Sequence, residues 1–74
     1  MIVDILKMAE DEKTVCYKCV RTGAAVNIIL VDKLHLRASI AVQGDVVSSI
    51  GSLRKIQNAV AKGEFPKKLL LATG

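Results

Sequence analysis

The sequence predicts an α+β domain of the ferredoxin-like type, with the element order βαββαβ, a four-stranded antiparallel sheet and two helices on one face of that sheet. Two short apolar runs rich in β-branched residues, 26–31 and 38–43, follow one another closely, as the strands of a hairpin do. Apolar residues at three- and four-residue spacing then predict helices over 46–60 and over 12–25. The chain of 74 residues is expected to form a single domain, 1–74.

The first half of the chain is predicted to form a strand and then a helix. The apolar run at 2–8 is the expected first strand. Three consecutive acids at 10–12 favour a helix N-terminus, because the helix dipole is positive there, and Asp11 is the expected cap. The helix predicted over 12–25 has one stripe of small and apolar residues: Val15, Cys16, Cys19, Val20, Gly23 and Ala24.

The second half is predicted to form two strands, a helix and a last strand. Residues 32–37 connect the two strands, Gly44 ends the second one, and Asp45 is a favoured N-cap for the helix. That helix is expected to turn its serines away from the sheet and its apolar stripe toward it: Val46, Val47, Ile50, Leu53, Ile56 and Val60. After Pro66 the helix cannot resume, and residues 67–73 form the last strand.

The composition favours a cytoplasmic protein that associates with itself. Hydrophobic residues make up 51% of a chain too short to bury them all, so subunit contacts are expected. No apolar run approaches the roughly 18 residues that span a bilayer, and acids stand where a signal peptide would be basic, so no membrane contact is expected. The net charge of +4 is scattered, and Tyr17 and Phe65 are the only aromatic residues, so nucleic acid is not an expected partner.

The pair of cysteines at 16 and 19 has two interpretations. Two thiolates at Cys-x-x-Cys spacing could take Cu(I) or Zn, as in modules that resemble copper chaperones. In those modules the pair precedes the first helix, whereas residues 20–25 are too few to form one before the next strand. Cys16 and Cys19 are therefore expected inside the helix as small core residues, and metal binding by this pair stays open as the alternative.

No catalytic constellation is apparent in the sequence. His35 is the only histidine and has no acid at a diagnostic spacing, so it is expected to be a solvent-facing turn residue. Asp45 is expected to be a plain helix cap, because its carboxylate would repel an anion at that helix end. Nothing supplies a nucleophile with a base, or paired carboxylates, so the protein is expected to be non-enzymatic and to need no cofactor.

The central part of the chain resembles the shell-protein family of bacterial microcompartments, the BMC domain. Members of that family have a helix ending in Ala-Ala, an apolar strand, a short central loop, another strand, and Gly-Asp-Val at the start of a second helix. The corresponding segments here are Ala24-Ala25, 26–31, 32–37, 38–43 and Gly44-Asp45-Val46. The likeness covers about residues 2–73, and the short central loop is most similar to that of the ethanolamine- and propanediol-utilisation shell proteins.

The resemblance implies a structural shell protein. Six subunits would form a cyclic hexamer with a central pore for small metabolites, and hexamers would tile with other shell proteins around encapsulated enzymes. The pore-lining residues would be Lys33, Leu34, His35 and Leu36. The contact between hexamer edges would involve Arg21 and Gly23. Six copies of Lys33 or His35 around the pore would form a ring that selects anionic metabolites.

A third class of function is also open, a regulatory ferredoxin-like module that binds a small ligand between subunits, as amino-acid-sensing domains do. Such a module would show stabilisation of a dimer by its ligand. The metal-binding alternative instead predicts uptake of Cu(I) or Zn that is lost when Cys16 and Cys19 are replaced by serine.

Overall fold

A five-stranded antiparallel sheet carrying one helix makes up the fold, in a computed structural model that describes residues 1–73. In chain order the elements are β1 (Ile2–Glu10), β2 (Thr14–Val20), β3 (Asn27–Asp32), β4 (Arg37–Val42), α1 (Val46–Ala61) and β5 (Lys68–Ala72). The strands stand in the order β4-β3-β2-β1-β5. The first four strands therefore form a meander, and α1 carries the chain across one face from the β4 edge to the β5 edge.

The hydrophobic core lies between α1 and the face of the sheet that it covers. Alternate residues of each strand point to this face, because successive side chains of a strand lie on opposite sides. The buried residues are Val3, Ile5, Val15, Tyr17, Cys19, Ile29 and Val31 from the sheet, with Ile56 and Val60 from the helix. The Tyr17 hydroxyl donates a 2.7 Å hydrogen bond to the Pro66 carbonyl, and burial raises the pKa of Tyr17 to about 12. This bond fixes the segment between α1 and β5 to the middle of the sheet.

The ferredoxin-like prediction is wrong, because the segment predicted as the first helix, 12–25, forms β2 and the loop that follows it. The burial pattern of β2 has a period of two, with Val15 and Tyr17 buried and Lys18 and Val20 on the other side. β-branched and aromatic side chains fit a strand paired on both sides, as β2 is with β1 and β3. The fold consequently has five strands and one helix instead of four strands and two helices.

The acids at 10–12 close a hairpin and do not begin a helix. The Asp11 carboxylate accepts hydrogen bonds from the backbone N–H groups of Lys13 and Thr14, at 2.8 and 2.7 Å. The N–H of Asp11 in turn donates to the Thr14 carbonyl. An aspartate binds backbone donors in this way both at helix N-termini and in turns. The predicted capping residue therefore caps the turn between β1 and β2.

The other elements lie close to where the sequence predicts them, but the first half of α1 turns the opposite side to the sheet from the one predicted. The helix begins directly after Asp45, as expected, but the Asp45 side chain makes no capping hydrogen bond. Three residues predicted to be buried in its first half are exposed by 71%, 70% and 54%: Val46, Val47 and Ile50. Three residues predicted to face solvent are buried instead: Ser48, Ser49 and Ser52. The second half of the helix buries Ile56 and Val60, as predicted.

Candidate functional site

The side of the sheet opposite α1, here called the open face, is covered by no other element within residues 1–73. Its side chains alternate along each strand with those of the core. Its larger apolar members are Ile2, Leu6, Val20, Ile28, Leu30, Val42 and Leu70. Ile2, Val42 and Leu70 are 63%, 54% and 52% exposed. Exposed apolar side chains grouped on one face are typical of contact surfaces, so the open face is a candidate contact surface.

Charges of both signs lie within the open face. Asp4 on β1 stands opposite Val20 on one side and Leu70 on the other. In the next row, Lys18 and Lys68 stand on either side of Leu6. Diagonal neighbours in a sheet are about 7 to 8 Å apart. The Asp4 carboxylate is therefore near the Lys18 and Lys68 side chains but forms an ion pair with neither. These charges are available to a partner.

A cavity of about 440 Å³ opens at one end of the open face, beside the hairpin that joins β3 to β4. Its lining residues are Lys13, Thr14, Leu30, Val31, Asp32, Leu34, Arg37 and Ser39. The lining thus combines apolar side chains with two cations, one carboxylate and two hydroxyls. Pockets of this size with a few polar groups over an apolar lining are typical of small-molecule sites.

A buried polar network lies beneath the N-terminus of α1. The Asn27 carbonyl oxygen accepts hydrogen bonds from the N–H groups of Gly44 and Asp45, both at 2.9 Å. Its amide nitrogen donates to the Asp45 carbonyl at 3.0 Å and to the Ser48 hydroxyl at 3.2 Å. Only glycine fits at position 44, because a Cβ there would lie 2.2 Å from the Val26 carbonyl oxygen. Asn27 therefore joins the start of β3 to the start of the helix.

The carboxylate of Asp45 is directed at Arg21. The Nε and Nη2 atoms of Arg21 donate to its two oxygens at 2.8 and 3.0 Å, and the Ser48 hydroxyl donates at 2.6 Å. The guanidinium holds the pKa of Asp45 well below its usual range, and the Ser48 hydroxyl lowers it further. Because these groups satisfy one another within the chain, we interpret the network as a structural anchor and not as a binding site.

The four residues predicted to line a pore, Lys33 to Leu36, form the turn of the β3–β4 hairpin. The ammonium group of Lys33 is held by the Glu10 carboxylate at 2.8 Å and lies 5.2 Å from the centroid of the Phe65 ring. The Nδ1 atom of His35 lies 2.7 Å from the Asp32 carboxylate. Within one chain, Lys33 therefore joins two hairpins. A role for these residues in a pore stays a prediction.

Arg21 and Gly23, the residues predicted at a contact between hexamer edges, lie in the loop between β2 and β3. The segment before Ala24-Ala25 is a strand and a loop where the shell-protein family has a helix, so this part of the resemblance is lost. Arg21 is engaged by Asp45 across that loop. Its participation in a contact between subunits stays a prediction.

The two cysteines lie on opposite faces of β2, because residues three apart in a strand point in opposite directions. Cys19 is buried in the core, and burial raises the pKa of its thiol. Cys16 is partly exposed on the open face, opposite Leu30. The structure therefore does not bring the two thiols to a common site. No group of three His, Cys, Asp or Glu residues in the part of the chain described is arranged to hold a metal ion.

The chain matches no family model, no curated protein and no solved structure. Across residues 1–73 there is no helix with the length and apolar character needed to cross a membrane. The fold and its surfaces thus define a small α+β domain in which one helix covers one face of a five-stranded sheet. The shell-protein function stays a prediction that none of these comparisons tests.

Apart from Leu34, which the sequence analysis placed at a pore, sequence reasoning missed the residues of the cavity and of the open face, including Leu30, Arg37 and Leu70. The prediction placed both helices on one face of the sheet and named no contact surface on the opposite face. A usable signal was present in the continuous apolar runs Ile28-Ile29-Leu30 and Leu69-Leu70-Leu71, which are typical of strands that are apolar on both faces.

Proposed function

We propose that the protein is a non-catalytic self-association domain, in which the open face of one copy packs against the open face of a second copy. The observation that carries this proposal is the exposure of Ile2, Val42 and Leu70 on one continuous face of the sheet. Burying such side chains is favourable by about 25 cal/mol per Å² of apolar surface removed from water. Association would also add stability that the small core of a chain of this size cannot supply alone.

The size of the open face suits a dimer contact. Five strands about 4.8 Å apart and about 17 to 20 Å long cover roughly 400 to 500 Å² in projection. A standard interface removes about 800 Å² of accessible surface from each partner, and the corrugation of side chains makes accessible area larger than projected area. The open face therefore provides most of the contact that a specific dimer needs.

The charges of the open face are compatible with self-pairing. In a two-fold dimer the same patch lies on both sides of the interface, so each residue type meets its complement only if both signs occur within the patch. Asp4 is a diagonal neighbour of both Lys18 and Lys68. An Asp4 carboxylate of one copy can therefore pair with a lysine of the other, which favours one register of the two sheets.

The predicted shell hexamer is a different form of self-association, since its contacts run between the edges of subunits around a six-fold axis. The proposal made here concerns the face of the sheet and a pair of copies. Measuring the mass of the particle separates the two, because two and six copies of an 8.0 kDa chain differ threefold.

The test is light scattering on a sizing column over a series of protein concentrations, with Leu70→Glu as the variant. We expect the unmodified chain to reach twice 8.0 kDa. Leu70→Glu places a second carboxylate beside Asp4, on the edge strand of the open face, where both carboxylates would lose hydration on association, so we expect this variant to remain a monomer. The folded state of both chains is checked by circular dichroism.

The matched control is Ile50→Glu, which introduces the same charge at a side chain of similar exposure, 54% against 52% for Leu70, but on the opposite side of the molecule. This variant should associate like the unmodified chain. The proposal is wrong if the unmodified chain is a monomer at every concentration, or if the two variants have the same mass. A particle of six copies would instead favour the shell-protein prediction.

A further inference from the structure

We propose that the cavity beside the β3–β4 hairpin is a binding site for a small organic monocarboxylate with an apolar body. The cavity measures about 440 Å³ and lies within a single copy of the chain. A cavity of about 150 Å³ already accepts a molecule the size of benzene, so there is room here for such a body, a head group and water.

Two cationic side chains at the cavity have unused donors. The Arg37 guanidinium and the Lys13 ammonium line the cavity, and neither side chain forms a hydrogen bond or an ion pair within residues 1–73. A planar guanidinium matches the two oxygens of a carboxylate, and an ammonium adds a second charge without fixed geometry. Arg37 is therefore the residue that would orient the head group.

The carboxylate of Asp32, which also lines the cavity, is already used by the turn. Its Oδ1 atom accepts the backbone N–H groups of Leu34 and His35 at 3.0 and 3.2 Å, and its Oδ2 atom lies 2.7 Å from Nδ1 of His35. Two cations and one carboxylate leave the lining with a charge of +1. A monocarboxylate balances that charge, whereas a dianionic phosphate ester would exceed it.

The remainder of the lining suits the body of such a ligand. Leu30 and Leu34 supply apolar surface, and the hydroxyls of Thr14 and Ser39 provide polar groups beside it. Leu34 is 73% exposed, so it is an apolar side chain whose burial a ligand would improve. The site needs no residue of a second copy, but it shares Leu30 with the open face, so a second copy packed over that residue would compete with the ligand.

The experiment is a titration of the ¹⁵N-labelled chain with hexanoate, followed by backbone amide shifts. Hexan-1-ol and hexylammonium are the probes of equal length without the negative charge, and hexyl phosphate is the dianionic probe. We expect hexanoate to shift the amides of Thr14, Leu34 and Ser39 with saturation. Arg37→Gln should raise the Kd for hexanoate about fivefold, because it removes one exposed charge-assisted pair.

Arg54→Gln is the matched control, since it removes the same charge from an exposed position on α1, away from the cavity, and should leave the Kd unchanged. The Leu70→Glu variant, whose open face is expected to stay unpaired, should bind hexanoate at least as tightly as the unmodified chain, so a failure of this inference is distinguishable from a failure of the proposed function. The inference is overturned if hexanoate gives no saturable shift, if hexan-1-ol binds as well, if hexyl phosphate binds more tightly, or if Arg37→Gln has no effect.

Discussion

The two halves of α1 lie on the same sheet but are held to it by different interactions. The first half buries Ser48, Ser49 and Ser52, and hydrogen bonds tie it to Asn27. The second half buries Ile56 and Val60 in the hydrophobic core. A single helix can thus be anchored by polar contacts at one end and by apolar packing at the other, so its apolar stripe need not face inward along its whole length.

Small side chains explain why the first half of the helix can present serines to the sheet. Gly51 lies against β5 so closely that a Cβ at this position would be 3.0 Å from Cδ2 of Leu71. Valine or isoleucine on this side would hold the helix further from the sheet and break the contacts to Asn27. The apolar residues of this half are therefore left on the outside, at Val46, Val47 and Ile50.

The largest effect is expected from shortening a buried side chain in the second half of the helix. Ile56→Ala removes three carbon atoms from a fully buried site and should lower the free energy of unfolding by about 3 kcal/mol. The matched variant is Ile50→Ala, the same change at a residue that is mostly exposed, and it should cost less than about 0.5 kcal/mol. Urea unfolding at one fixed protein concentration measures both.

If Ile56→Ala does not fold, Ile56→Val measures the same contact at a cost of about 1 kcal/mol. Equal losses in Ile56→Ala and Ile50→Ala would show that the outer side of α1 packs as tightly as its inner side. In that case the description of the second half as the apolar anchor would be wrong.

A smaller effect is expected in the first half, where two buried serines differ in their hydrogen bonds. The Ser48 hydroxyl donates to Asp45 and accepts from Asn27, whereas Ser52 Oγ has no hydrogen-bond partner within the described chain. We expect Ser48→Ala to lower the free energy of unfolding by about 1 to 2 kcal/mol, because it leaves buried polar groups unsatisfied. Ser52→Ala should be neutral or stabilising by up to about 1 kcal/mol.

The two serine variants control for one another. Both sites are buried in the same helix, and both gain the same advantage of alanine over serine in helix propensity, about 0.5 kcal/mol. Ser52 lies beside the Cys19 thiol, but sulfur is a weak acceptor, so losing this contact should cost little. If both variants lose stability equally, the polar network does not distinguish the first half of α1.

Local sequence signals predict most of the elements in their order, but they predict neither β2 nor the five-stranded sheet. The prediction located β3, β4 and the start of α1 correctly from their apolar runs and from Gly44-Asp45, although the structure holds this junction through Val26 and Asn27 and not through a capping hydrogen bond from the Asp45 side chain. The segment Thr14–Val20 carries apolar residues compatible with both helical and strand spacing. This segment is a strand because it pairs with β1 and β3. That pairing depends on tertiary structure, and the spacing of apolar residues in the sequence does not predict it.

The sites were harder to predict than the strands, because they depend on which side chains the sheet brings together. Lys13 and Arg37 are far apart in the chain and meet only because β2 and β4 flank the same strand, β3. The orientation of α1 was missed for a related reason. Hydrophobic periodicity treats serine as a solvent-facing residue and cannot register a buried partner such as Asn27, which lies in another strand.

The smallest effect is expected from acid, and it should distinguish the two halves of α1. Because Arg21 and Ser48 depress the pKa of Asp45 below its ordinary value of 3.8, Asp45 contributes stability that is present above that value. The contribution is lost as the pH falls further toward the depressed pKa of the folded state. The second half of the helix has no such carboxylate in its buried contacts. We therefore expect the protection of backbone amides, measured relative to their intrinsic exchange rate at each pH, to fall first around residues 46–52 as the pH is lowered below 4.

The control for this prediction is Asp45→Asn, which keeps the size of the side chain and removes its titration. The acids at Glu10, Asp11 and Asp32 also have lowered pKa values and remain in both chains, so both should lose stability in acid. Only the part due to Asp45 should be missing from the variant, which gives it a shallower fall in the free energy of unfolding below pH 4. Identical slopes in the two chains would mean that the ion pair with Arg21 does not hold the first half of α1 in solution.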